Sequence, residues 1–496
     1  MPAKHSGRGR TAPYVVGTVF AATGLAQGAF AVAALVGGEP ALGFAAGAAL
    51  SVFLGGALRF VGRAGAPGER HGEPTRREAL VALLAAWALV PALGAIPYLD
   101  AAGLGPLDAY FESMSGFTTT GATVLTDFER VGPVAFLYRA FTQWVGGVGI
   151  IVLFVGLFPQ LAIAGRQLFF AEAPGPTEER LTPRLRYTAT AIIGVYGVLT
   201  AAIAIGYALA GMREYDAIVH ALTTVSAGGF SHEGRSFEAF GAAAAWVAVV
   251  GMAFAGANFA LLFRGATGRW STVVRDPELR TYVAIAVLAS IAVALLLDGT
   301  YEAADAWRHG AFQALSILTS TGYASADFAL WPESSQAILL VVAFIGGSAG
   351  SAAGGVKVAR WLILTQHTAR EVRRTLHPRA VLPVRMGDRV VPEDVLRSVA
   401  AFITLYVALF AVTTVTLVLL GKDFTTAFSA AIACLGNIGP GLAAVGPMGN
   451  FADLHPFAKG LLTFCMYAGR LEVVTVFAIF APGWWRVPRA GRGIER

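Results

Sequence analysis

Runs of about 20 apolar residues, each enough to cross a bilayer core as a helix, recur from one end of this chain to the other. Ten such segments fall at residues 13–36, 41–62, 78–99, 133–158, 187–210, 240–263, 281–298, 335–365, 396–420 and 457–482. Only 14% of the 496 residues are charged, where a soluble domain carries about 25%. The expected fold class is an all-α polytopic membrane protein.

The connections alternate in charge. Arg59, Arg63, Arg70, Arg76 and Arg77 flank the second; Arg166, Arg180, Arg184 and Arg186 mark the fourth; Arg264, Arg269, Arg275 and Arg280 the sixth. Arg370, Arg373, Arg374, Arg379, Arg385 and Arg389 crowd the eighth, and Arg486, Arg489, Arg492 and Arg496 the tail. The odd connections hold fewer, with Asp100, Asp108, Glu112, Asp216 and Asp305 prominent. The positive-inside rule then places both termini in the cytoplasm. Lys4, Arg8 and Arg10 precede a full-length span with no small-residue cleavage site, so no signal peptide is expected. The net charge of +6 is spread between spans rather than gathered on one face, which argues against a nucleic-acid partner. Cys434 and Cys465 both sit in apolar segments, with no CxxC pattern, and read as small packing residues.

Four odd connections each carry an apolar or mixed stretch of about 12 residues, then small and hydroxyl residues around a glycine. These are Leu107–Phe117, Tyr215–Val225, Ala306–Leu318 and Phe424–Leu435. Twelve helical residues reach about 18 Å, too short for a core of about 30 Å. Each must enter the membrane and return on the same side, between two full spans. The glycines that follow, Gly121, Gly228, Gly322 and Gly439, give an internal repeat that is regular in layout and divergent in sequence. The chain thus divides into an amino-terminal hairpin at 1–70 and repeats at 71–170, 171–270, 271–390 and 391–496.

Non-helical backbone at membrane depth is tolerated only where protein or a water-filled cavity satisfies it. Four such loops around one axis, in pseudo-fourfold arrangement, would offer rings of carbonyl oxygens to replace the hydration shell of an ion. Glycine allows the backbone angles that aim carbonyls inward, and neighbouring Thr and Ser can add hydroxyl oxygens. Each short helix runs into its loop, so the negative end of its dipole faces the centre and favours a cation.

Thr118-Thr119-Thr120-Gly121-Ala122-Thr123, Thr223–Ser231, Ser320-Thr321-Gly322-Tyr323 and Asn437-Ile438-Gly439-Pro440-Gly441 resemble the four filter loops of the Trk/Ktr/HKT potassium transporters. The extra amino-terminal hairpin resembles the TrkH branch. Carried over by position, the resemblance implies that K⁺ is held by the backbone of Thr119, Thr120 and Gly121; Ser226, Ala227 and Gly228; Ser320, Thr321 and Gly322; and Asn437, Ile438 and Gly439. Four glycines go with K⁺ preference in that family, and a serine in the first loop with Na⁺ permeation. The resemblance also implies a bacterial cytoplasmic membrane, a homodimer, and a cytosolic nucleotide-binding regulator of the TrkA kind, with no organic cofactor in this chain. The basic stretch 370–389 is the expected dock for such a regulator or for anionic lipid. A Na⁺-permeable or Na⁺/K⁺-symporting member, and an alternating-access solute transporter, are the competing functions.

The eighth span is too long for one straight crossing. Its centre carries Gly346, Gly347, Ser348, Ala349, Gly350, Gly354, Gly355 and Lys357. Five glycines within ten residues disfavour helix by about 1 kcal/mol each relative to alanine. Two helical halves joined by an intramembrane loop are expected, and the run resembles the loop that obstructs the pore beneath the filter in TrkH and KtrB proteins. A small-residue helix contact is the alternative. Gly346–Gly350 also fits the G-x-S-x-G pattern, but without strand or partner histidine it does not indicate an enzyme. Arg470 and Glu472 interrupt the apolar tenth span, at a cost of at least about 2.5–3.5 kcal/mol for a charge at that depth. Arg470 is expected beneath the filter, held by Glu472 or by the glycine loop; a structural ion pair is the alternative. Asp108, Glu112 and Asp216 suit either cation attraction at the entrance or solvated helix starts. His220 is expected to be packed, and Trp484 and Trp485 to anchor the interface.

Overall fold

A computed structural model of the chain describes residues 11–63, 76–156, 181–387 and 389–481. The arginines at 70, 166 and 180, the tail arginines and the Trp484–Trp485 pair lie outside those residues. So do the expected boundaries at 70/71 and 170/171. The described chain is helical apart from one antiparallel ribbon of Arg385–Met386 and Arg389–Val390.

Seven described helices are long and apolar enough to cross a membrane: Ala12–Gly37, Leu42–Arg63, Arg77–Ala101, Pro133–Leu153, Ala189–Leu209, Pro277–Leu296 and Glu393–Leu419. The other three expected spans are each interrupted. The segment expected at 240–263 is Ala242–Ala255 and Phe259–Ala266, bent by 101°. Asn258 causes the restart, because its side chain accepts from the N–H groups of Ala260 and Leu261 and caps the second helix. The segment expected at 335–365 is Glu333–Ala343 and Val358–Leu376, with non-helical backbone at 344–357. The segment expected as one span at 457–482 stops at Arg470 and restarts at Val473. Glu472 sits between the halves at φ +71°, a conformation that a non-glycine residue holds only when its surroundings enforce it.

The four short helices are Pro106–Phe117, Glu214–Val225, Ala303–Leu318 and Phe424–Leu435, and all four end where the sequence places them. Their starts follow ordinary rules. Pro106 occupies the first turn after Gly105. Asp108, Glu214, Asp216 and Asp305 complement the positive helix ends. Asp423 caps the fourth helix, and the Thr426 N–H it accepts holds its carboxyl below the usual range.

The amino-terminal hairpin packs glycine on glycine: a Cβ at Gly17 would lie 2.7 Å from Gly55 O, and one at Gly55 would lie 2.7 Å from Gly17 O. Such close backbone approach is how helices associate where no hydrophobic effect drives them. Buried Gln27 then ties the hairpin to the rest. It donates to Leu93 O at 2.9 Å and accepts from Ser51 at 3.0 Å.

Candidate functional site

Each short helix ends in the same backbone turn. After the C-caps Thr118, Ser226, Thr319 and Gly436 comes a left-handed residue: Thr119 (φ 52°), Ala227 (51°), Ser320 (53°) and Asn437 (53°). Two residues on lies a glycine, again at positive φ: Gly121 (85°), Gly229 (72°), Gly322 (81°) and Gly439 (98°). The residue between them donates its N–H to a carbonyl five positions back. The pairs are Thr120 to Ser115 (2.8 Å), Gly228 to Thr223 (2.9 Å), Thr321 to Ser316 (2.9 Å) and Ile438 to Ala433 (2.8 Å).

By this turn the second loop sits one residue on from the register read in the sequence. The residues matching Thr119-Thr120-Gly121 are Ala227-Gly228-Gly229, not Ser226-Ala227-Gly228. Ser226 is the helix cap. Two adjacent glycines made both registers open in sequence, and only the φ angles separate them. In the fourth loop, whose sequence departs most, the equivalent turn positions are Asn437-Ile438-Gly439.

The four glycines close a ring. A Cβ at Gly121 would run into Gly228 O, one at Gly229 into Thr321 O, and one at Gly322 into Ile438 O. One at Gly439 would lie 2.7 Å from Thr120 O, which returns to the first loop. Each loop therefore presses its glycine against the middle carbonyl of the next, in order, around a common axis. On one side the ring opens to a cavity of about 190 Å³ lined by all four glycines, Arg139 and Asn450.

Side chains brace the ring from behind. Gln143 donates to Gly228 O at 2.6 Å and accepts from Phe230 N at 3.1 Å. Ser316 and Gln313 both donate to Tyr323 O, at 2.7 and 3.1 Å. Asn437 Nδ2 reaches Thr120 Oγ1 at 3.0 Å and Met466 O at 2.9 Å. Fully buried Glu112 accepts from Arg139 Nε at 2.6 Å, Val124 N at 2.9 Å and Thr123 Oγ1 at 3.0 Å. Arg139 continues to Ser231 O at 2.9 Å and lies 3.5 Å over the Phe230 ring. The hydroxyls of Thr118 and Thr319 point back along their helices, to Met114 O and Leu315 O. Buried Thr119 Oγ1 and Asn437 Oδ1, at equivalent turn positions, have no protein partner among the described residues.

On the other side of the ring lies the 344–357 loop. Gly354 N donates to Ser320 Oγ at 2.5 Å, and a Cβ at Gly354 would meet Gly436 O. Ser348 N donates to Gly256 O at 2.9 Å, Ala352 N to Ala255 O at 3.2 Å, and Phe259 N to Gly350 O at 3.1 Å. Buried Arg470 donates from Nη1 to Ala352 O at 2.9 Å, while its Nε and Nη2 have no partner among the described residues. Of the two holders expected for Arg470, the glycine loop is the one it touches. Glu472 instead pairs with Arg360 at 2.6 Å. Lys357, at φ 80°, bonds back to Ala353 O.

The family model described as TrkH, cation transport protein, matches residues 47–484. The chain belongs to the TrkH family. It is 39% identical over 435 residues to the Trk system potassium uptake protein TrkH of Vibrio parahaemolyticus, covering 85% of this chain and 88% of that one. It is 37% identical over 426 residues to the protein of the same name from Escherichia coli K12, covering 84% and 88%. The crystal structure of the potassium transporter TrkH from Vibrio parahaemolyticus superposes with a TM-score of 0.86 at 35% identity, over 96% of this chain and 99% of that one. TrkH relatives are named as transporters and not as enzymes, in agreement with the sequence.

Within this TrkH-family fold the acidic residues expected at the entrance are largely engaged. Asp108 pairs with Lys459 at 2.6 Å, and Asp216 with Arg213 at 2.8 Å. Glu112 is neither exposed nor a helix-start charge; it is the buried partner of Arg139. His220 is packed as expected, between Asp216 O at 2.8 Å and Ser231 Oγ at 3.0 Å. Sequence reasoning passed over Arg139 and Gln143, although an arginine inside the apolar 133–158 segment was the signal that depth makes expensive.

Proposed function

We propose that this chain takes up K⁺ across a bacterial cytoplasmic membrane through the glycine ring. The ion would shed water onto the carbonyls of Thr119-Thr120-Gly121, Ala227-Gly228-Gly229, Ser320-Thr321-Gly322 and Asn437-Ile438-Gly439. The observation that carries this reading is the ordered closure of four glycine–carbonyl contacts, with four helix carboxyl ends running into it. The relatives' name, potassium uptake protein, supports K⁺ as the cargo. Four dipole ends and four middle carbonyls favour a cation. The unpartnered Thr119 and Asn437 oxygens suit a wet space just inside the ring.

In this reading the loop holding Gly346, Gly347, Ser348, Ala349, Gly350, Gly354, Gly355 and Lys357 is the gate, with Arg470 fastened to its Ala352 carbonyl. A guanidinium in the conduit repels a passing cation. Glu472 acts at one remove, by fixing Arg360 on the helix after the gate. Counting each interrupted pair as one crossing gives ten crossings with four re-entrant helices, divided into the hairpin and four repeats at the boundaries given above. Both termini are then cytoplasmic, and the 370–389 stretch faces a regulatory subunit or anionic lipid of the inner leaflet. A homodimer is part of the same proposal.

Expression of the chain restores growth of K⁺-uptake-deficient cells at low external K⁺; failure to do so at normal membrane levels overturns the reading. Arg470→Ala raises K⁺ influx by about tenfold, the effect of removing roughly 1.4 kcal/mol of barrier. Tracer influx into vesicles measures it, and unchanged influx removes Arg470 from the gate.

A further inference from the structure

The loop beneath the ring is anchored on its far side by residues that neither the filter nor the glycine run contains. Where the helix Ala242–Ala255 stops, its last carbonyls lose their helical partners. Two of the orphans, Ala255 O and Gly256 O, accept N–H groups from Ala352 and Ser348 of the loop. Asn258, at the bend, lies against Gly350, where a Cβ would stand 3.2 Å from its Nδ2. The same stretch of loop is also met by a carboxylate. Glu278 begins the span Pro277–Leu296, is 4% exposed, and accepts the Ala349 N–H at 2.6 Å. A buried carboxylate is costly unless it is satisfied, so its placement against one loop amide calls for a role. Glu278 and Asn258 line one cavity of about 350 Å³, shared with Arg264, Arg275 and Arg389. Those arginines belong to the connections that the charge pattern assigns to the cytoplasm.

We propose that Glu278 is a positioning residue, a latch whose carboxylate holds the Ser348–Ala352 part of the gate loop across the conduit. The inference rests on the reading of that loop as a gate. Ser320 fastens the loop to the filter, and the bend at Gly256–Asn258 fastens it through backbone. Glu278 is the fastening from the third repeat's own entering helix. The loop is thereby tied to the second and third repeats at once, and a relative movement of those two at the cytoplasmic face would strip one set of fastenings or the other.

The test is tracer K⁺ influx into vesicles holding the purified full chain. Glu278→Ala raises influx about tenfold over the unsubstituted chain, the effect of losing one buried hydrogen bond. Glu278→Gln stays within about twofold, because its amide oxygen accepts the same N–H. Equal influx for folded Glu278→Ala and the unsubstituted chain overturns the latch, as does a Glu278→Gln variant that leaks as much as Glu278→Ala. Should Glu278→Ala not fold, Glu278→Asp decides, since its carboxylate falls one methylene short. High influx then supports the latch and unaltered influx overturns it. If neither the unsubstituted chain nor any variant carries K⁺ above protein-free vesicles, the transport reading itself falls and takes the latch with it. A conducting chain indifferent to position 278 removes the latch alone.

Discussion

Gly229→Ala reduces K⁺ uptake to below about 1% of the native rate, while Gly228→Ala leaves about a tenth of it. The two residues are neighbours in sequence and differ in what surrounds them. Gly229 holds φ +72°, and a Cβ there runs into the backbone carbonyl of Thr321 in the next loop. An L-residue in that conformation costs about 1–2 kcal/mol before any collision. The colliding atom is a ring carbonyl that cannot move without opening the ring. At Gly228 a Cβ meets the amide end of Gln143 instead. That side chain can swing aside, at the expense of its bonds to Gly228 O and Phe230 N. Each such bond is worth about 0.5–1.5 kcal/mol, so a tenfold loss is in scale. Uptake at matched membrane levels in deficient cells measures both. The opposite order would return the second loop to the Ser226–Gly228 register.

The pair also marks how far the sequence could be read. Phe117, Val225, Leu318 and Leu435 close their helices where apolar pattern and small residues said they would, because helix termination is a local matter. The interruption at 344–357 was equally legible, since five glycines act within ten residues. The break at Glu472 was not. Leu471 and Glu472 are ordinary helix formers, and what holds Glu472 at φ +71° includes Arg360, 112 positions away. The bend at 256–258 was not legible for a related reason: Asn258, which caps the second half, is a lone polar residue in an otherwise apolar run. Arg470 illustrates the mixture. Its depth followed from composition and its place beside the loop from the family resemblance, whereas the choice of the loop carbonyl Ala352 O over Glu472 needed coordinates.

The second large effect concerns a contact that no local pattern announces. Glu112→Ala leaves the Arg139 guanidinium buried without its carboxylate, and removal of one member of a buried pair costs about 3–5 kcal/mol. Val124 N–H and Thr123 Oγ1 lose an acceptor in the same step. The variant therefore unfolds at markedly lower temperature in detergent and accumulates poorly in the membrane. Glu112→Gln keeps one acceptor in place and removes the charge, so it is destabilised less than Glu112→Ala and reports on the ring. Glu112 holds the backbone that leaves the first ring loop, and Arg139 holds Ser231 and Phe230, which leave the second. The pair is thus the seam between two of the four loops, and Gln143, one turn along the same helix from Arg139, grips Gly228 O inside that seam. Carbonyl rings discriminate ions through the size of the cavity they form and the number of oxygens they present. Loosening one seam out of four should admit Na⁺ before it abolishes K⁺. Glu112→Gln is accordingly expected to retain K⁺ uptake within about threefold, one buried hydrogen bond being worth about 0.5–1.5 kcal/mol, while Na⁺ becomes an effective competitor. Tracer K⁺ influx titrated with external Na⁺ measures this. A Gln variant as indifferent to Na⁺ as the native chain would confine the pair to holding the fold together.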